Sequence, residues 1–186
     1  MKKTVRFAAW ALGFILTAVL VLGQQTRKEL TNATTPADDA KANSPSVPDV
    51  YAINGHFDRI VVLRFKYQTD LLAGLEKMVK EQKIDNAVIL AGAGSLLSYH
   101  VHQVSNRTFP SKNMYEKDPT APADLIGMNG YVINGRIHAH MTIATPEHAF
   151  GGHLEPGTGV FTFAIVTLGV FEKGVDLSKV DDKTYR

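Results

Sequence analysis

Gly135-Arg136-Ile137-His138-Ala139-His140-Met141-Thr142-Ile143-Ala144-Thr145-Pro146-Glu147-His148-Ala149-Phe150-Gly151-Gly152-His153-Leu154 is the stretch on which the fold turns. Arg136 to Ala144 and Ala149 to Leu154 read as strands separated by a short polar turn. Upstream, Asn134-Gly135 links Arg136–Ala144 to the apolar run Leu125 to Ile133, and Asn-Gly between two apolar runs is the strongest short hairpin signal. Three consecutive strands joined by tight turns must pair antiparallel.

This pairing makes a prediction about histidines. Residues two apart on a strand share a face, so His138 and His140 face the same side. If the second turn is centred between Pro146 and Glu147, His140 precedes it by six residues and His153 follows it by six. His153 then lies directly across from His140, with Cβ atoms ~5 Å apart and His138 one pleat along. A bulge at Gly151-Gly152 would shift this register by one residue. His148 has the opposite parity and is expected to face away.

Three imidazoles converging on one point can share a Zn²⁺, and three His ligands with an open fourth position is the arrangement of catalytic zinc. Such a site polarises a carbonyl oxygen and activates water. Imidazole also suits Cu, Fe and Ni, so zinc is the expected metal rather than the required one. Tyr99-His100-Val101-His102 repeats the H-x-H spacing, so His100 and His102 are further candidates as ligands, acid/base groups or substrate contacts. Asp124, Arg136 and Glu155 are candidate outer or substrate-binding groups. The bland alternative is that each is a structural strand His, since H-x-H alone occurs by chance.

The rest of the chain fits an α+β domain, mostly antiparallel sheet with one main helix. Phe57 to Phe65 is β-branched and apolar and reads as a strand. Leu71, Leu72, Leu75, Met78 and Val79 fall at helical spacing behind Asp70, predicting a helix over 69–82. Asn86 to Ala91 reads as a short buried strand ended by a Gly92-Ala93-Gly94 turn. Ser95 completes a Gly-rich stretch that could cradle phosphate, but no dinucleotide or Walker pattern follows, so a tight turn is the better reading. Leu96 to Val104 and Val160 to Phe171 are further strands. Asn106 to Ala123, with Pro110, Pro119 and Pro122, reads as a long loop. Lys173 to Arg186 reads as a charged tail.

Composition narrows the function. The 186 residues are 45% hydrophobic, enough for a core, and contain no Cys, which excludes disulfides, thiolate metal sites and a Cys nucleophile. Lys2, Lys3 and Arg6 precede an uncharged run from Phe7 to Leu22, the pattern of a secretory signal ending near Gly23. That run is shorter than the ~20 residues of a usual spanning helix, so cleavage is favoured over retention as a membrane anchor. Residues 24–50 are polar and Pro-containing and read as a flexible linker. The expected organisation is therefore a signal peptide over 1–23, the linker over 24–50, a domain over 51–172 and a tail over 173–186. The body is expected in the periplasm or outside the cell. The chain has 20 basic and 18 acidic residues; without the three bases of the signal, 17 face 18. That balance lacks the basic bias of a nucleic-acid binder.

Several of these motifs occur together in one family. Val62-Leu63-Arg64, Ala91-Gly92-Ala93-Gly94-Ser95, Gly135-Arg136-Ile137-His138-Ala139-His140 and Ala149-Phe150-Gly151-Gly152-His153-Leu154 resemble the PPC domain, named for plants and prokaryotes, from about residue 57 to 171. The resemblance implies an α+β fold that assembles as a homotrimer, with a divalent metal on His138, His140 and His153. It also implies a fold relationship to acetolactate decarboxylases and some zinc-dependent ester hydrolases. The expected function is thus an exported, metal-dependent hydrolase or lyase/decarboxylase acting on a small carbonyl compound. The alternatives are a non-catalytic trimeric binding or assembly module, and the DNA binding with which the family is often labelled. Plant members carry an Arg-Gly-Arg-Pro core absent here, and they tend to lose the histidines that this chain keeps. Asp124 stands where the family often has Glu, and His100 and His102 match no fixed family position.

Overall fold

The computed structural model describes residues 29–31, 33–34 and 41–180. The expected export signal lies outside the described residues, as do much of the expected linker and the end of the tail. Among the described residues, no helix is long and apolar enough to cross a membrane.

In chain order the elements are β1 (Glu29–Leu30), β2 (Phe57–Lys66), α1 (Leu71–Glu81), β3 (Ala87–Leu96), β4 (Tyr99–Val104), β5 (Asn113–Asp118), β6 (Ala123–Ile133), β7 (Arg136–Ala144), β8 (Ala149–Leu154) and β9 (Val160–Phe171). The strands form one sheet in the order β1-β5-β4-β8-β7-β6-β3-β9-β2, and every pairing is antiparallel. This is the α+β architecture expected from the sequence.

Strand alternation divides the sheet into an inner and an outer face. Leu63 and Phe65 of β2, Ile89 of β3, Val101 of β4, Met141 and Ile143 of β7, Leu154 of β8 and Val166 and Leu168 of β9 are buried in one core. The helix adds Leu71, Leu75 and Val79, spaced so that one stripe faces inward. Each such side chain contributes roughly 1.5–3 kcal/mol by leaving water. Asp70 caps α1 by accepting from the Ala73 amide at 2.9 Å, and its other oxygen accepts from the Gly157 amide at 2.7 Å. That second bond ties the start of the helix to the turn that follows β8.

Three expectations change. Gly92-Ala93-Gly94 is not a turn but lies within β3, with all three residues paired to β9 and Gly94 also to β6. A Cβ on Gly92 would stand 2.4 Å from Cβ of Met128, so glycine there permits close strand packing and offers no phosphate cradle. The expected loop over 106–123 contains β5, hidden because its buried residues are Asn113, Glu116 and Asp118 rather than apolar ones. Asp118 accepts from the amides of Thr120 and Ala121, which closes the turn after β5. Finally, Glu29–Leu30, expected in the linker, adds a short strand to β5, and Leu177 of the expected tail is buried.

Candidate metal centre

The β6–β7–β8 meander forms as the turns dictate. Asn134 and Gly135 adopt positive φ at the first turn, and His140 pairs with His153 across the second. No bulge interrupts β7–β8. Gly151 and Gly152 serve a different purpose from the one their sequence suggests. A Cβ on Gly151 would meet the Met141 carbonyl oxygen at 2.1 Å, and one on Gly152 the His102 carbonyl oxygen at 2.3 Å. The pair lets β8 lie close between β7 and β4.

That closeness aligns one row of outward residues across five strands: Asn129 on β6, His140 on β7, His153 on β8, His102 on β4 and Tyr115 on β5. His138, one pleat along β7, pairs with Tyr131. The His138, His140 and His153 ring centroids are 5.2–5.4 Å apart in all three pairs. A ring whose nitrogen is bound at about 2.0–2.1 Å has its centre about 3.2 Å from a zinc ion, so tetrahedral neighbours have centroids about 5.2 Å apart. The observed spacings fit that value. His153 stands T-shaped to both His138 and His140 rather than stacked flat on them.

Glu155 completes the arrangement. Its Oε1 lies 2.6 Å from Nδ1 of His102 and 3.1 Å from Nδ1 of His153. Burial would raise its pKa, but the hydrogen bonds from His102 and His153 outweigh burial and hold it at about 2. An ionised carboxylate only accepts, so both Nδ1 atoms donate to it, which leaves Nε2 of each ring as the nitrogen not engaged by Glu155. A carboxylate on the far nitrogen of a metal-ligating His is the usual orienting partner of such ligands. His140 is pushed below the ordinary His value, first by burial and then by His153, His138 and His102. It is held neutral, the form that binds metal.

His102 stacks on His153 at 4.6 Å. Among the described residues, the three-residue set whose ligand atoms all lie within 4.8 Å of one another is His102, His153 and Glu155; the expected set of His138, His140 and His153 does not meet that spacing. The sequence pointed to His102 but not to this position, because the β4–β8 pairing joins residues about fifty apart without a short turn. His100 donates its Nδ1–H to the Pro156 carbonyl at 2.8 Å and lies beside Tyr115. Since a carbonyl only accepts, Nδ1 of His100 is the donor.

Two expected residues are not brought to the cluster. Asp124 pairs with Ala144, four residues beyond His140 along β7 and so about 13 Å away along the strand. Arg136 opens β7 and lines a cavity with Glu76, Lys80 and Lys83 of the helix end. His148 stacks on Phe150, outside the cluster, as its parity requires.

The family comparison agrees with the fold. The model of the Plants and Prokaryotes Conserved domain matches residues 52–172, more than half of the chain. The chain belongs to that family. A plant- and prokaryote-conserved protein of Pyrococcus horikoshii superposes with a TM-score of 0.54 at 21% identity, over 66% of this chain and 85% of that one. A metal-containing protein of Archaeoglobus fulgidus gives 0.55 at 20% identity, over 65% and 86%. A Bacteroides thetaiotaomicron protein described as a candidate DNA-binding protein gives 0.52 at 15% identity, over 66% and 85%. At these identities the likeness is one of fold. A search of curated proteins gave no significant match.

Proposed function

We propose that this PPC-domain protein holds a divalent metal, zinc, on His138, His140 and His153, and that it hydrolyses or cleaves a small carbonyl compound. The observation that carries the reading is the set of three equal ring separations of 5.2–5.4 Å on one face of the sheet. A metal bound there would supply a Lewis acid for a carbonyl oxygen. The chain's own groups have separate tasks. Glu155 fixes the tautomer and attitude of His153 and holds His102 against it. The low pKa of His140 keeps a lone pair ready at neutral pH. His102 stands beside the triad, where it can hold a proton next to the substrate.

We also infer an exported homotrimer. Its export rests on the basic, then apolar, start of the chain. Its assembly is supported by the outer face of β2, β9 and β3, where Ile60, Val62, Leu90, Phe163 and Ile165 are all at least 38% exposed. Contiguous apolar surface of this kind marks an interaction site. The near-even charge of the body argues against nucleic acid as the partner.

A second reading has its own observation. His102 lies stacked on His153, and a metal that took His102 as a fourth ligand beside the three His would sit in a closed, structural site, making the protein a binding or assembly module. Elemental analysis of the purified chain and of the His138→Ala/His140→Ala variant tests the main reading. About one metal per chain, lost in the variant with the fold retained by circular dichroism, supports it. Metal retained in the variant moves the site to His102, His153 and Glu155.

A further inference from the structure

A cavity of about 480 Å³ opens on the outer face beside the triad, with His138 and His140 forming one wall. Val88 and Val180 supply aliphatic surface, the buried Ile89 and Ile133 border it, and Tyr131 adds a ring directly across from His138. Asn129, the cross-strand partner of His140, is the polar group nearest that wall in register. Among the described residues, the lining includes no Asp, Glu, Lys or Arg. The volume lies within the ~300–1,000 Å³ of small-molecule sites, and an apolar lining with one or two placed polar groups is their usual character.

We propose that this cavity receives the uncharged apolar substituent of the substrate, aliphatic or aromatic, while its carbonyl end lies toward His138 and His140. This specifies a substrate class for the site proposed above and rests on that reading for the carbonyl end alone. A carboxylate or phosphate carried on the substituent would lose its water against Val88, Tyr131 and Val180 and find no Lys or Arg among the described lining residues, and an unpaired buried charge is strongly disfavoured. A neutral substituent has no such cost and gains by burying apolar area. Asn129 can donate its amide N–H to a carbonyl or accept from a hydroxyl near the wall. Gly130, between Asn129 and Tyr131, lets β6 lie close to β7, since a Cβ there would stand 2.1 Å from the His138 carbonyl oxygen.

The test separates the cavity from the metal. Zinc-loaded full chain is titrated with acetohydroxamate, benzohydroxamate and 4-carboxybenzohydroxamate, three chelators that differ only in the tail. Methyl resonances of Val88, Ile89, Ile133 and Val180 report where the tail lies. Benzohydroxamate is expected to bind at least tenfold more tightly than acetohydroxamate and to shift those methyls. The 4-carboxy compound is expected to lose that advantage. Val88→Asp should abolish the gain while leaving zinc content and acetohydroxamate affinity unchanged. Equal affinity for the first two, undiminished binding of the carboxylated probe, or methyl shifts elsewhere would overturn the proposal. If the chain takes up no zinc, benzamide is titrated into the metal-free protein instead. Shifts at the same methyls then uphold the cavity assignment while the metal reading falls, and their absence refutes both.

Discussion

Replacing Glu155 by Gln probes how the triad is built. The carboxylate accepts from two imidazoles at 2.6 and 3.1 Å and is held at about 2 against an ordinary 4.5. That difference corresponds to on the order of 3 kcal/mol in favour of the ionised, hydrogen-bonded form. The amide keeps an acceptor oxygen but not the charge, and charge-assisted hydrogen bonds are roughly twice as strong as neutral ones. About half of the interaction is therefore lost, on the order of 1.5–2 kcal/mol, which is roughly a ten- to thirtyfold weakening of metal binding. Competition with a fluorescent zinc chelator near neutral pH measures it, with His153→Ala as the variant that loses binding altogether. Unchanged affinity in Glu155→Gln would refute the orienting role. Complete loss, combined with retention of metal in His138→Ala, would make Glu155 a ligand instead.

Other outcomes follow from the same structure. Gly152→Ala forces a Cβ to within 2.3 Å of the His102 carbonyl oxygen, so it should cost about 1–3 kcal/mol and lower Tm by several degrees, read by thermal melts. Metal-free protein should lose stability as pH falls. The lowered His140 pKa means the unfolded chain takes up that proton first, so its contribution is complete above about 6.5 and declines below it; the contribution of Glu155 is present above 4.5 and is lost as pH falls toward about 2. A Tm that rises on acidification from pH ~7 to ~4 would contradict this. Ile165→Asp, on the exposed apolar face, should convert a trimer to monomers in sedimentation experiments without changing metal content, and a wild-type chain that is already monomeric would dismiss the assembly.

How much was legible in the sequence depended on how local each signal was. The β6–β7–β8 meander and the His140–His153 pairing follow from two short turns and strand parity, and both stand in the structure. Helix α1 was legible from its apolar spacing and Asp70 cap, with ends displaced by one or two residues. The β4–β8 pairing was not legible, because no short turn fixes the register of residues so far apart, and with it the stack of His102 on His153 and the double role of Glu155 were missed. Strand β5 was concealed by its buried polar residues, and β3 by glycines that favour turns in isolation but pack neighbours closely here. Asp124 and Arg136 were drawn in by proximity in sequence to strands whose other residues do reach the site.

X-ray absorption of the zinc-loaded chain examines the central claim most directly, since imidazole rings give a characteristic multiple-scattering pattern that counts them. Three imidazoles at about 2.0–2.1 Å plus one further light atom is the expected result. Two imidazoles with a carboxylate would place the metal on His102, His153 and Glu155, and four imidazoles would close the site with His102 as a fourth ligand; either result contradicts an open three-histidine site.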